Sequence, residues 1–158
     1  MSTDHLQLIT QLYSAFQARD AARMAACYHA DATFDDPVFV GLRGKEVASM
    51  WAMLCERGTD LQVTFANVQA DAATGSAEWD ARYTFSRSKR PVHNRIHSDF
   101  RFGDGLIIAH RDTFDFHRWA GQALGLPGAL LGWLPPFQAA VQKQSRAALD
   151  AYMAKRSV

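Results

Sequence analysis

The stretch ATFDDPVF, residues 32–39, places two carboxylates and a proline within an otherwise apolar run. A strand that buries one face seldom carries an acid on that face without a compensating interaction. Pro37 cannot donate a hydrogen bond to a central ladder, so the stretch predicts a strand that ends at the proline. The two acids, Asp35 and Asp36, therefore need an explanation, and the chain around them indicates a pocket.

The composition is that of one ordinary globular domain. The 158 residues are 48% hydrophobic and 21% charged, which is enough for a substantial core. A net charge of +1 gives no basis for binding nucleic acid or an anionic membrane surface. The one basic cluster, RSKR at residues 87–90, lies beside a proline and is typical of a solvated loop.

The sequence also bears on compartment and metal binding. No run reaches the roughly 18 apolar residues of a membrane span, and the N-terminal residues lack the pattern of a signal peptide. We therefore expect a cytoplasmic protein that does not act on membranes. Cys27 and Cys55 form no spaced metal motif, so we expect reduced core thiols and no metal site.

Apolar residues at spacings of three and four predict three helices in the first third of the chain. They cover residues 4–18, a short stretch that follows Asp20 as its N-cap, and residues 44–57. The short helix is expected to carry Met24, Cys27 and Tyr28. Gly58 fits the left-handed residue that ends many helices.

After Gly58 the apolar period changes from 3.6 to 2, which predicts strands. Four strands are expected, over residues 61–70, 76–86, 92–102 and 106–117. Short segments in this order favour an antiparallel sheet with the helices packed on one face.

Alternation assigns the strand residues to two faces. One face is apolar and includes Leu106, Ile108, Phe114 and Phe116. Its polar exceptions are Ser98, His110 and Asp112. A close GDG turn would put Ser98 nearly opposite His110, and a bulge at Gly103 or Gly105 would shift that pairing by one residue.

The other face of the predicted sheet carries mixed charges. They are Glu78, Asp80, Arg82, His97, Asp99, Arg101, Arg111, Thr113, Asp115 and His117. Such a face favours water or a wet subunit interface, and paired surface charges explain it more simply than catalysis does.

The three polar exceptions must find partners or line a cavity. A cavity would also explain Asp36, because burial raises the pKa of a carboxyl group and makes it a better proton acceptor near neutral pH. Two interpretations stay open. The His110–Asp112 pair is either a satisfied structural pair with Asp36 as a turn residue, or part of a ligand pocket.

The C-terminal part differs from the rest. Residues 118–137 are apolar and interrupted by glycine and proline, which suggests one or two short helical turns that end at Pro135 and Pro136. Residues 137–155 predict an amphipathic helix whose apolar side carries Val141, Ala148, Leu149, Tyr152 and Met153. We expect this tail to pack on the domain or on a partner subunit. A lid or membrane-touching flap is the alternative, although the tail lacks a basic polar face.

The segment YSAFQARDAARMAACYHADATFDDPV and the strands ending FRFGDGLIIAHRDTFD resemble the nuclear-transport-factor-2-like superfamily, which includes ketosteroid isomerase, SnoaL-like polyketide cyclases and limonene-epoxide hydrolase. The resemblance covers residues 5–117. It implies an α+β fold in which a cone-shaped, curved, mostly antiparallel sheet wraps around N-terminal helices, the cystatin-like α+β barrel. It also implies a homodimer joined through the outer sheet face. We expect residues 1–117 to form this barrel and residues 118–158 to form a helical extension of the same domain.

The resemblance also implies site residues. Asp36 in DDP matches the proton-shuttling base of ketosteroid isomerase. The isomerase's oxyanion-hole tyrosine falls on Leu12, next to Tyr13, and its protonated second acid falls on Ser98, so steroid isomerisation is not implied.

The other members of the superfamily add one further position. AHRD, residues 109–112, resembles the SnoaL-like HWD segment, whose aspartate acts as acid or base, which corresponds to Asp112 with His110 beside it. The hydrolase's Asp–Arg–Asp constellation has no convincing match in this chain.

The sequence is therefore compatible with two functions. The first is acid/base chemistry, of isomerase, cyclase or hydrolase type, on a small, largely apolar carbonyl compound without metal or organic cofactor. Asp36, Ser98, His110 and Asp112 would be catalytic, and the pocket walls would be Tyr13, Tyr28, Trp51, Tyr83, Phe100 and Phe114. The second is a non-catalytic ligand-binding or dimeric interaction module of the same fold.

Overall fold

The computed structural model describes residues 2–156, which form six helices and six strands. In chain order these elements are α1 (Thr3–Gln17), α2 (Ala21–Ala25), β1 (Tyr28–Asp35), β2 (Leu42–Arg43), α3 (Lys45–Arg57), β3 (Gln62–Ala70), β4 (Thr74–Thr84), β5 (Pro91–Gly103), β6 (Leu106–Thr113), α4 (Phe116–Leu124), α5 (Leu126–Leu131) and α6 (Pro135–Arg156).

The strands form one sheet in the order β2-β1-β6-β5-β4-β3. All neighbours are antiparallel except β1 and β6, which run parallel. The sheet is curved but not closed, and the N-terminal helices pack against its concave face. The predicted α+β class, with a mostly antiparallel sheet around N-terminal helices and a C-terminal helical extension, is therefore confirmed.

The N-terminal helices form where the apolar spacing and the caps predict them. The side chain of Ser2 accepts a hydrogen bond from the backbone N–H of His5, and that of Asp20 accepts one from Arg23 at the start of α2. One face of α1 is fully buried, and it carries Ile9, Leu12, Tyr13, Ala15 and Phe16. This face fixes α1 across the sheet, because burying a large apolar side chain such as Ile9, Leu12 or Phe16 contributes about 1.5–3 kcal/mol.

Two details of this region differ from the prediction. Helix α2 ends at Ala25 and Tyr28 begins β1, because the backbone N–H of Ile107 bonds the carbonyl of Cys27 and starts the parallel ladder there. Gly58 does follow α3, but its φ of −83° is not left-handed. A Cβ at this position would lie 2.9 Å from the carbonyl oxygen of Leu54, so the glycine is required for space.

A bulge between β5 and β6 sets which residues share a face. Next to the turn Gly103 pairs with Leu106, whereas farther along Arg101 pairs with Ala109 and leaves Ile108 extra. The prediction that Leu106 and Ile108 lie on the buried face is therefore wrong. Ile107 is fully buried there instead.

The last strand is shorter than predicted. It ends at Thr113, because the side chain of Asp115 accepts a hydrogen bond from the backbone N–H of Arg118 and caps α4. Phe116 is thus the first residue of a helix, and Asp115 and His117 do not belong to the outer face of the sheet. The acids of that face contact histidines: Glu78 and Asp99 contact His97, and Asp80 contacts His93.

The C-terminal segment packs on the domain. Helix α6 begins at Pro135 rather than after the prolines, which suits residues that lack a free N–H. It lies against α3, where Arg146 pairs with Glu46 and the Tyr152 hydroxyl donates to Glu56 over 2.8 Å. Helix α5 in contrast exposes Leu130. No helix within residues 2–156 is long and apolar enough to cross a membrane.

If α6 is an integral part of the core, Leu149→Ala should lower the free energy of unfolding by about 2–4 kcal/mol, because the side chain is fully buried. Urea denaturation followed by circular dichroism measures this change. Leu130→Ala, whose side chain is 63% exposed, is the matched control and should change it by less than about 0.5–1 kcal/mol. Equal effects of the two substitutions would contradict the packing of α6.

Candidate functional site

A cavity of about 500 Å³ lies between the concave face of the sheet and helices α3 and α6. Its buried end is formed by Trp79, Ile96 and Asp112, and its open end by the exposed side chains of Arg57 and Arg87. Most of the wall between the two ends is apolar. A cavity of this size and character suits a small organic molecule.

Asp112 is held at the buried end by two neighbours. The β5–β6 register pairs Ser98 directly with Asp112, and His110 precedes Asp112 by two residues on the same face. Ser98 donates a short hydrogen bond from its Oγ to Oδ1 of Asp112, and Nε2 of His110 lies 2.7 Å from the same oxygen. All three side chains are nearly inaccessible to bulk water.

A second layer of hydrogen bonds fixes His110. Trp51 donates from Nε1 to the Tyr28 hydroxyl over 2.9 Å, and that hydroxyl lies 2.8 Å from Nδ1 of His110. Tyr28 therefore has its own proton to donate to Nδ1, which leaves the ring proton on Nε2 to be donated to Asp112. This assignment gives every donor a partner with a neutral imidazole.

Ser98 is held in a corresponding way. Its Oγ accepts from Nε1 of Trp79 over 2.9 Å and lies 2.5 Å from the Tyr13 hydroxyl. Because Ser98 spends its own proton on Asp112, Tyr13 must be the donor in that contact. Both arms of the network therefore direct their protons toward Oδ1 of Asp112.

The other oxygen of Asp112 is left for the cavity. Within residues 2–156, Oδ2 has no hydrogen-bond partner, and no buried side-chain oxygen lacks one. Oδ2 must therefore be accessible, and the space it reaches is the cavity that Asp112 lines. The network thus presents one carboxyl oxygen to whatever the cavity contains.

Asp36 lies on the same cavity, in the turn that follows β1. Its Oδ1 accepts hydrogen bonds from the backbone N–H groups of Val38 and Phe39, at 2.7 and 2.6 Å. Burial raises the pKa of Asp36 from its ordinary 3.8 to about 7; the Phe39 N–H opposes this shift and the charge of Asp112 adds to it. Asp36 therefore changes protonation near neutral pH while it faces the cavity.

Two carboxyl groups from distant parts of the chain thus meet one apolar space. A carboxyl group with a pKa near 7 can both take and return a proton at neutral pH. A second carboxyl group held by fixed donors can bind a hydroxyl or a transferred proton beside it. Pairs of carboxyl groups in unlike environments are a common basis of acid/base catalysis.

The structure separates the predicted site residues into two groups. Asp36, Asp112, Trp51, Tyr83 and Phe114 line the cavity. The others do not line it and lie behind its wall: Ser98, His110, Tyr13, Tyr28 and Phe100. Ser98, His110, Tyr13 and Tyr28 form the hydrogen-bond network around Asp112. Phe100 packs against His110, with ring centroids 4.4 Å apart.

Several cavity residues were not singled out from the sequence. They are chiefly Phe39, Arg57, Arg87, Asn94, Trp119, Gln144 and Ser145. Gln144 and Ser145 flank the apolar side of α6, so the amphipathic pattern located their helix but not the surface it covers. Within residues 2–156 no group of three or more His, Cys, Asp or Glu is placed to hold a metal ion.

The network predicts that substitutions of its residues lower the free energy of unfolding by unequal amounts. Ser98→Ala leaves both the Tyr13 hydroxyl and the Trp79 N–H without an acceptor, so it should lower the free energy of unfolding by about 2–4 kcal/mol. Tyr13→Phe removes one donor and leaves Ser98 with its Trp79 contact, so about 1 kcal/mol is expected. Urea denaturation of both variants and of the double variant measures this. The double variant should cost less than the sum, and strict additivity would contradict the shared network.

Comparison with known proteins agrees with this architecture. The family model of the SnoaL-like domain matches residues 9–110. Among curated proteins no match was found.

Solved structures of similar fold extend the comparison. An LEH-like epoxide hydrolase from Mycobacterium tuberculosis has a TM-score of 0.66 and 21% identity, over 83% of this chain and 98% of that one. A protein assigned to the SnoaL-like polyketide cyclases, from a Jannaschia species, has a TM-score of 0.68 and 14% identity, over 79% and 94%.

A third structure comes from Catenulispora acidiphila. This hypothetical protein has a ketosteroid isomerase-like fold and was solved with trimethylamine; its TM-score is 0.66 and its identity 17%, over 81% of this chain and 97% of that one. At such identities the structural similarity establishes the fold alone. Because the family model covers most of the barrel, this chain belongs to the SnoaL-like domain family of the nuclear-transport-factor-2-like superfamily.

Proposed function

We propose that this protein binds a small, largely apolar carbonyl compound and moves a proton on it without a metal or an organic cofactor. The observation that carries the proposal is the meeting of Asp36 and Asp112 on one apolar cavity of about 500 Å³. Isomerisation and cyclisation both require such a proton transfer. Structures of the same fold include an epoxide hydrolase and a protein assigned to the polyketide cyclases, which is consistent with this chemistry.

Asp36 acts as the proton-transferring group in this proposal. Its Oδ1 is held by two backbone N–H groups, and its Oδ2 is free of hydrogen bonds within the described chain. The carboxylate takes a proton from the carbon next to the carbonyl, and the resulting acid returns it to another carbon or to an oxygen. A pKa near 7 suits both steps at neutral pH.

Tyr83 supplies the hydrogen-bond donor that the developing enolate oxygen needs. Its hydroxyl accepts a bond from Nε1 of Trp119 over 2.9 Å and makes no other side-chain hydrogen bond within residues 2–156. Burial raises the pKa of Tyr83 to about 12 although the Trp119 bond opposes this, so the hydroxyl keeps its proton. Tyr83 lines the cavity with Asp36 and can donate to a carbonyl oxygen there.

Asp112 binds the polar group of the ligand that lies deepest in the cavity. Its Oδ2 accepts a hydrogen bond from a hydroxyl or receives a proton. Ser98 and His110 act as positioning residues, because they touch Asp112 and do not line the cavity.

The function is tested by hydrogen–deuterium exchange at the α-carbon of 2-tetralone in D₂O, followed by proton NMR. The wild-type protein should accelerate exchange, with a rate that rises with pH through about 7, since the base must be ionised. Asp36→Asn should lose about 10²–10⁴-fold of the acceleration. Tyr83→Phe should lose about 10²–10³-fold, the effect of removing one donor to the oxyanion.

Matched controls separate chemistry from charge and fold. Asp35→Asn removes the same charge one residue away, where the carboxylate bonds the N–H of Gly41 and does not line the cavity. Tyr152→Phe removes a hydroxyl that bonds Glu56 where α6 meets α3 and that does not line the cavity. Above pH 7, where Asp36 is ionised with or without the neighbouring charge of Asp35, both controls should exchange the ketone at close to the wild-type rate. Full activity of Asp36→Asn would show that another group is the base.

The raised pKa of Asp36 also predicts how stability depends on pH. Between pH 4 and pH 7 the unfolded chain has lost this proton while the folded chain retains it, so stability falls as pH rises through this window. Asp36→Asn, which keeps both backbone contacts through its Oδ1, removes this loss. Its unfolding free energy relative to wild type should therefore increase by about 2–4 kcal/mol from pH 4 to pH 8, measured by urea denaturation. A difference independent of pH would contradict an Asp36 pKa near 7.

A second function is supported by a separate observation. Ser98 and His110 satisfy all their hydrogen bonds inside the protein, as a purely structural network would. A non-catalytic ligand-binding module would keep the cavity and its affinity for ketones but would not accelerate exchange. The homodimer and the boundary at residue 117 stay predictions.

A further inference from the structure

We infer that the ligand carries an oxyacid anion, a carboxylate or a phosphate, at the end opposite the group that reacts, and that Arg57 and Arg87 bind this anion at the mouth of the cavity. The inference names the class of ligand for the proposed site and rests on that function only for the identity of the reacting end.

The two arginines come from separate elements and converge on one opening. Arg57 is the last residue of α3, and Arg87 lies in the turn between β4 and β5. Both line the cavity and both are exposed, whereas Asp112 at the other end is 4% exposed. The cavity is therefore positive at its mouth and acidic at its floor.

Neither arginine has a carboxylate partner within residues 2–156. The side chain of Arg57 forms no hydrogen bond or ion pair, and that of Arg87 bonds only the neutral side-chain oxygen of Gln144 over 2.8 Å. The acid next to Arg57, Glu56, is engaged by Tyr152 and Arg156.

The neighbouring arginines on α6 behave differently. Arg146 pairs with Glu46 and Asp150, and Arg156 pairs with Glu56. The acids of this surface are thus used by α6. Among the described residues, the guanidinium of Arg57 keeps all its donors free and that of Arg87 gives up one, to Gln144. A guanidinium with free donors is the side chain best suited to binding carboxylate or phosphate.

The polarity of the cavity also fixes how such a ligand enters. An anion at the floor would meet Asp112 and the ionised form of Asp36, and like charges in an apolar space repel strongly. The same anion at the mouth meets two cations and water. The apolar body then lies along Trp51, Trp79 and Phe114, and the neutral carbonyl end reaches the carboxyl groups.

The inference is tested by isothermal titration calorimetry with four naphthalene probes of one ring size. 2-Naphthylacetate and 2-naphthyl phosphate are anions, 2-naphthylacetamide is neutral, and 2-(2-naphthyl)ethylammonium is a cation. At low salt at least one anion should bind about tenfold tighter than the amide, and the cation should bind more weakly than the amide. The tighter of the two anions identifies the oxyacid.

The variant Arg57→Gln/Arg87→Gln should bring the anion to within about twofold of the amide, because the charged donors are gone while the apolar wall remains. Arg43→Gln, an exposed arginine on β2 that does not line the cavity, should leave the anion preference unchanged. Equal binding of anions and amide by wild type, an equal loss of both in the double variant, or no binding of any probe would overturn the inference.

The outcome is separable from that of the proposed function. Anion preference without ketone exchange supports the inference and removes the proposed catalysis. Ketone exchange that depends on Asp36, with no preference for anions, overturns the inference and leaves the catalysis standing.

Discussion

Ile108 is the extra residue on which the geometry of the site depends. If Ile108 were paired in the ladder instead of bulged, the β5–β6 ladder would continue in the register of the turn, where Gly103 pairs with Leu106, and Ser98 would pair with Arg111. The insertion pairs Ser98 with Asp112 instead, and paired residues of an antiparallel ladder project to the same face. Ser98, His110 and Asp112 therefore meet on the concave side, which a continuous ladder would not allow.

The hydrogen-bond network around Asp112 compensates for the hydration that this carboxyl group loses on burial. A carboxylate removed from water is strongly destabilising unless fixed donors replace the solvent. Two tryptophan N–H groups, two tyrosine hydroxyls, a serine and a histidine form the arms that deliver those donors to Oδ1. Because only one oxygen is saturated, the other keeps an acceptor in a defined position. The same contacts thus hold the side chains behind the wall and keep one acceptor oxygen at the cavity.

Alternation and helical spacing were enough to predict the antiparallel sheet, the helices on one face and the polar exceptions, whereas the curved barrel was implied by the resemblance to the superfamily. The sequence did not predict that Ser98 pairs with Asp112, because the alternation of apolar and polar residues does not show where a one-residue bulge lies. The sequence also could not distinguish a tyrosine that lines the cavity, such as Tyr83, from one that lies behind its wall, such as Tyr28. Each occurs in a half-apolar run, and each accepts a hydrogen bond from a tryptophan that is distant in sequence, Trp119 for Tyr83 and Trp51 for Tyr28. The part of the cavity wall that α6 contributes could not be predicted. The spacing of apolar residues shows which side of a helix is apolar but not which surface that side packs against.

The family model ends at residue 110, whereas part of the cavity wall comes from α4 and α6 beyond it. Gln144, Ser145 and Ala148 therefore line the cavity from beyond the region that the family model matches. Two proteins with the same barrel interior but different tails would enclose different volumes. The shape of the cavity in this chain can thus change with α6 while β6, which holds Asp112, stays as it is.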